Sequence, residues 1–230
     1  MSDIAGFLHK VSIYAVPVLM AITFHEAAHG YVAYKKGDPT AFMLGRVTLN
    51  PLRHIDPVGT IVLPLAMLLM GTGMVFGWAK PVPVNFRLLR NQKWDPIYVA
   101  AAGVVTNLGL AVIAGVLFRL ILLGDPDILL AVMGKEPGGD SVSRLVTVPL
   151  AHMCIVFIHF NVLLAVFNMI PIPPLDGGRI AVGLLPYRAS TALASVERYG
   201  MLIVIALLMF GPLGIIGGLV QWLSSFILGI

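Results

Sequence analysis

The chain has 230 residues, of which 58% are hydrophobic and 11% charged, with a mean hydropathy of +0.93; soluble domains carry roughly 25% charge, so the composition points to an integral membrane protein. Its formal net charge of +4 comes from 15 Lys and Arg scattered singly or in pairs between apolar runs, without the clustered basic face that nucleic-acid binding needs. Cys154, the one cysteine, lies inside the apolar run MCIVF, which excludes an intrachain disulfide and a thiolate metal cluster.

The N-terminus, MSDIAGFLHK, lacks a basic n-region followed by a short apolar stretch and a small-residue cleavage site, so the first apolar run reads as a retained helix. That run covers residues 7–36, with Pro17 predicting a kink and Gly37-Asp38-Pro39 predicting the stop. Residues 41–50, AFMLGRVTLN, alternate loosely and predict a short strand at the membrane surface. Asn50-Pro51 and Asp56-Pro57 bracket a turn-rich loop that contains His54.

A second span fits residues 58–76, and GWAKPVPVNFRLLRNQKWDP then reads as an interfacial loop or shallow re-entrant stretch. Pro81 and Pro83 bar a regular helix there. A third span fits 97–123, a polar Gly-rich loop follows, and a fourth span fits 146–170. The segment NMIPIPPLDGGRI places Pro171, Pro173 and Pro174 before Asp176, predicting an extended backbone. Residues 180–188 predict a short interfacial helix, and 199–228 are apolar but cut by GPLG at 211–214. The expected fold is an all-α integral membrane protein, a polytopic bundle of about 5–6 transmembrane helices with short interfacial strand and loop segments. Nothing in the composition sets an oligomeric state.

The chemistry concentrates in FHEAAHG. Positions i and i+4 of a helix share a face, so His25 and His29 can offer two imidazoles to one metal ion. Glu26 lies beside His25, placed to take a proton from a metal-activated water. Three ionisable groups within five residues of an apolar segment each need a partner, and one ion satisfies both histidines. A catalytic zinc needs a third protein ligand and leaves water as the fourth. His9, His54, His152, His159 and a few acids are candidates; Asp176 is preferred, because it follows a proline-stiffened segment directly off a span and Gly177 and Gly178 permit close backbone approach.

FHEAAHG together with NMIPIPPLDGG resembles the site-2 protease family of intramembrane zinc metalloproteases, and NPLRHIDPVGT and GWAKPVPVN resemble its compact prokaryotic branch, over roughly residues 20–180. The resemblance implies one Zn2+ ion held by His25, His29 and Asp176, with Glu26 as the catalytic glutamate. It implies hydrolysis of a peptide bond in or near the transmembrane segment of a protein substrate, within the lipid bilayer of a prokaryotic plasma membrane crossed several times by the chain. The chain then forms a single transmembrane metalloprotease domain over 1–230, with its catalytic core at about 7–180 and C-terminal helices at 190–230.

Asn107, in AAGVVTN, matches an asparagine that the family places near the metal; its amide either donates to the developing oxyanion or substrate backbone, or bonds helix to helix. Asn161 and Asn168 share a face of the fourth span, and Asn168 is expected to fix the proline segment through side-chain to backbone bonds; both are also compatible with a structural role. His54 is a loop histidine that either meets substrate, gates the entrance, or supports the loop. Residues 80–86 and 171–174 are expected edges for an unwound substrate to join as an added strand. Two non-enzymatic alternatives are a metal-dependent transporter, for which spans 58–76 and 199–228 supply almost no polar residues in series, and an inactive helix-binding regulator, against which the presence of Glu26 speaks.

Overall fold

The computed structural model describes residues 2–70, 77–134, 144–211 and 213–229. The last part of the expected second span, at 71–76, most of the polar loop after residue 134, and the side chain of His9 lie outside the described residues.

The first helix, α1 (Ser2–Lys35), runs on past Pro17, which lies inside it without ending it. It stops where the sequence said it would. Gly37 takes a left-handed φ of +112°, its N–H donates to Tyr34 O and that of Asp38 to Ala33 O at 2.9 Å. These two bonds satisfy carbonyls that the helix end leaves unpaired.

The expected strand at 41–50 is absent: among the described residues there is no strand. Instead α2 (Thr40–Met43) makes a single turn and closes on Gly45, at φ +64°, with Arg46 N–H donating back to Ala41 O. A second helix-stop geometry consumes the backbone donors that a strand would have needed. Asn50 then caps a 3-10 turn at Pro51–Arg53, and Asp56 caps the wider turn Pro57–Val62 by accepting from Val58 and Gly59 N–H. That turn leads into α3 (Leu63–Leu69).

Residues 77–85 form an extended strap, as Pro81 and Pro83 require. A 3-10 turn at Phe86–Leu88 precedes α4 (Asp95–Gly124), a 30-residue helix. A short α5 (Ile128–Val132) and α6 (Arg144–Asn168) follow. Next come α7 (Asp176–Leu184), α8 (Tyr187–Ser195), α9 (Gly200–Phe210) and α10 (Leu213–Leu228). Two helices here replace the one expected at 180–188, and the break between α9 and α10 falls at GPLG as the sequence predicts.

Two helices, α4 and α6, are long and apolar enough to cross a membrane; the fold is all-α, without a sheet among its described residues, and is compatible with membrane association. Leucine and valine side chains along α4, such as Val105, Val112, Val116 and Leu120, remain exposed, as a lipid-facing surface would leave them.

Helices α1, α4 and α6 pack against one another, and α10 lies against α4 and α6. Phe118, Ile128, Ile158, Val162 and Val220 form the buried core of that second contact. Arg119, a charge inside an apolar helix, is answered by the C-terminal carbonyls of α10, donating to Ile227 O at 2.8 Å and to Leu228 O at 3.3 Å. The buried His25 and His29 of α1 face α4, their Nδ1 atoms on Asn107 and Val99.

Candidate metal centre

His25 and His29 sit one turn apart on α1, with their Nε2 atoms 3.0 Å from each other. Asp176, the first residue of α7, brings Oδ2 to 3.3 Å from both Nε2 atoms. The three side chains form a group able to hold a metal ion, with one ligand atom from each lying within 4.8 Å of the others. They are buried, at 7%, 9% and 8% exposure.

Asp176 reaches this position because the glycines after it carry no side chain. A Cβ on Gly177 would lie 2.3 Å from Met169 O, and one on Gly178 would lie 2.2 Å from Pro173 N. The first turn of α7 therefore presses directly on the turn that leaves α6. The sequence expectation of close backbone approach holds, but the proline segment is not extended. Ile172 N–H donates to Ile170 O and Leu175 N–H to Ile172 O, so residues 171–174 are folded on themselves and offer no strand edge.

The chemistry of the donor set fits a cation. Nδ1 of His29 faces Val99 O at 2.7 Å and Nδ1 of His25 faces Asn107 Oδ1 at 2.5 Å. Both partners are acceptors, so each Nδ1 carries the hydrogen and each Nε2 presents a lone pair. Those two lone pairs converge on Asp176 Oδ2, a buried oxygen with no hydrogen-bond donor. Three acceptors meeting in a buried site repel one another until a positive ion binds them.

Room for the two imidazoles comes from α4. A Cβ on Gly103 would fall 2.5 Å from His25 Cε1 and 2.6 Å from His29 Nε2. Val99, Gly103 and Asn107 are spaced by four residues and form one stripe of the helix; its middle member makes space while the outer two orient the imidazoles. Sequence reasoning missed Gly103, whose contribution is the absence of a side chain.

Glu26 is held from another direction. Its Oε2 accepts from Val82 N–H at 2.7 Å, the strap's N–H between two prolines. The strap is in turn fastened along alternate residues. Trp78 N–H donates to Gly59 O, Lys80 N–H to His54 O, and Arg46 donates to Lys80 O at 2.7 Å. Farther along, Asn85 N–H donates to Asp38 Oδ2 at 2.6 Å, and Asp38 is fully buried. Val82, Asp38 and Arg46 were not singled out from the sequence, although the buried Asp38 belongs to the helix-stop motif.

His54 is buried, with Nε2 on Thr48 O at 2.9 Å and its carbonyl on the strap; the structure places it as a support under the strap. His152 turns back onto Val148 O, and His159 is exposed, so neither joins the cluster. Asn161 donates to Phe157 O and accepts from Asn107. Asn168 donates one turn back to Leu164 O, not forward into the proline turn, because a helical asparagine can reach the carbonyl at i−4.

A model of peptidase family M50 matches residues 13–211. The chain belongs to peptidase family M50. It is 37% identical over 199 residues to a Bacillus subtilis protein named "Putative zinc metalloprotease YwhC", the match covering 86% of this chain and 80% of that one. It is 31% identical to the Mycolicibacterium smegmatis protein named "Putative zinc metalloprotease Rip2", over 83% of this chain and 64% of that protein. The Mycobacterium tuberculosis protein of the same name is 27% identical, over 89% and 70% of the two chains. No solved structure gave a significant match. This M50 chain thus bears out the resemblance to the site-2 proteases, and the M50 match encloses both FHEAAHG and LDGG.

Proposed function

We propose that this M50 peptidase is a zinc-dependent intramembrane endopeptidase that cuts a peptide bond in or near the transmembrane segment of a protein substrate. The observation that carries this reading is the convergence of His25 Nε2, His29 Nε2 and Asp176 Oδ2 one residue away from a carboxylate anchored by a backbone donor. Two imidazoles and one carboxylate are the donor set of a catalytic zinc with an open position. We take the chain as one domain that crosses the prokaryotic plasma membrane several times, with its catalytic core at about 7–180.

When bound, the ion supplies Lewis acidity, making a water acidic enough to lose a proton near neutral pH and polarising the scissile carbonyl. Glu26 takes that proton on its carboxylate and passes it to the leaving amide nitrogen. The Val82 N–H donates to Oε2 of Glu26 and fixes its rotamer. Burial of the histidines and Asp176 keeps bulk water out, so the charges act at low dielectric.

The substrate must unwind locally to expose its carbonyl, and the strap is the surface it meets. Residues 78, 80 and 82 spend their N–H groups on Gly59 O, His54 O and Glu26 Oε2, while Pro81 and Pro83 have no N–H to offer. A cavity of about 880 Å3, lined in part by Phe86, Lys93, Pro173 and Arg179, joins the end of the strap to the turn before Asp176 and suits side chains of the unwound segment.

Glu26→Gln tests the reading. The variant should keep stoichiometric zinc and lose cleavage of a transmembrane-helix substrate in proteoliposomes by about 10²–10⁴-fold, the usual contribution of a general base. Unchanged cleavage removes Glu26 from the mechanism. Zinc flux across the vesicle that survives the substitution, without cleavage by the parent protein, would favour transport.

A further inference from the structure

The two zinc-binding imidazoles are oriented by different means. His29 rests on a backbone carbonyl, Val99 O, whose polarity cannot change. His25 rests on a side-chain amide, Asn107, which could turn either its oxygen or its NH2 group to the ring. What settles the choice lies one helix farther away.

Asn161 Nδ2 sits 2.8 Å from Phe157 O. A backbone carbonyl only accepts, so Asn161 must present its NH2 there and its Oδ1 on the other side. That oxygen lies 2.7 Å from Asn107 Nδ2. Asn107 Nδ2 also faces Ala21 O at 3.3 Å, a second fixed acceptor. Asn107 is thereby compelled to turn Oδ1 to His25, which must carry its hydrogen on Nδ1 and leave Nε2 bare. The polarity runs from the α6 backbone through two amides to a ligand on α1. Both asparagines are fully buried, at 0% exposure, so water cannot replace either link.

Resting on the zinc-peptidase reading above, we propose that Asn107 and Asn161 are positioning residues: a relay that fixes the tautomer and ring orientation of His25, with Asn107 not serving as the donor to the oxyanion. Its NH2 group is already shared between Asn161 and Ala21, and reaching a substrate oxygen would break the relay that keeps His25 a ligand. Partners behind metal-bound histidines act by fixing tautomer and raising basicity, and their loss costs about 10–100-fold in metal affinity.

The test uses the full chain in detergent and in proteoliposomes, with zinc affinity measured by chelator competition, the ligand field of the cobalt-loaded protein, and cleavage at saturating zinc. Asn107→Leu and Asn161→Leu should each weaken zinc binding about 10–100-fold and shift the cobalt spectrum. Asn161→Leu, which touches neither substrate nor ion, should regain most cleavage at saturating zinc. Asn107→Asp carries only oxygens at its side-chain tip, so it still offers His25 an acceptor and should recover affinity relative to Asn107→Leu. Zinc affinity unchanged in both leucine variants, with cleavage lost only in Asn107→Leu at saturating zinc, overturns the relay and makes Asn107 the oxyanion donor. If Asn161→Leu does not fold, the contrast between Asn107→Leu and Asn107→Asp decides: equal affinities overturn the proposal. A parent protein that binds zinc and shows these affinity losses but cuts no peptide would sink the peptidase reading and leave the relay standing.

Discussion

At the scale of single residues the metal centre depends as much on a missing side chain as on the ligands. Gly103→Ala adds one methyl where His25 and His29 already stand within 2.7 Å. The expected outcome is a loss of zinc affinity on the order of tenfold or more, comparable to the loss of an orienting partner, measured by chelator competition, while α4 itself gains helix propensity. His25, Glu26 and His29 were legible in the sequence because helical spacing places them together without any knowledge of the fold. Asp176 was legible at one remove, through the two glycines whose only use is close approach. Gly103, Val82 and Asp38 were not, since they act through absent atoms, a backbone N–H and a buried cap, and their partners lie on other elements. Asn107 drew attention for its type, but its orientation depends on Phe157 O and Ala21 O, which no local pattern reveals.

At the scale of elements the strap couples Glu26, the proposed base, to loops far from it in sequence. Val82→Pro removes the donor to Glu26, whereas Val82→Ala keeps it. Cleavage should fall in the proline variant with zinc binding retained, and largely survive in the alanine variant; assays of both with a transmembrane-helix substrate check this. Asp38→Ala leaves Asn85 N–H and the Thr40 N–H and hydroxyl without their acceptor and should lower stability by about 1–3 kcal/mol, read from the detergent unfolding midpoint. The long helices α1, α4 and α6 were readable from apolar length alone. The expected strand at 41–50 failed because alternation over a few residues cannot compete with a glycine-closed turn that satisfies its own backbone. The extended edge expected at 171–174 failed for the same reason: the prolines restrict the chain, yet the remaining N–H groups fold it back on itself.

At the scale of the whole molecule the His25, His29 and Asp176 cluster joins α1 to α7, so an ion held there would link the two, with α4 and α6 packed against α1. Stripping the metal should therefore loosen the joint between these elements as well as stop catalysis. A ligand that binds only the folded protein stabilises it by about 2.7 kcal/mol at a hundred times its Kd; thermal unfolding with and without chelator should show a zinc-dependent rise of that order. The same view bears on what the strap does to a visiting chain. Its prolines at 81 and 83 have no N–H to give, and Pro81 O already lies 3.4 Å from Arg46 Nη2. Neither position can donate to a guest peptide, whose own N–H must supply any bond made at Pro83 O. A proline scan through the guest should find a place opposite Pro83 where that residue is refused, even though glycine is welcome there.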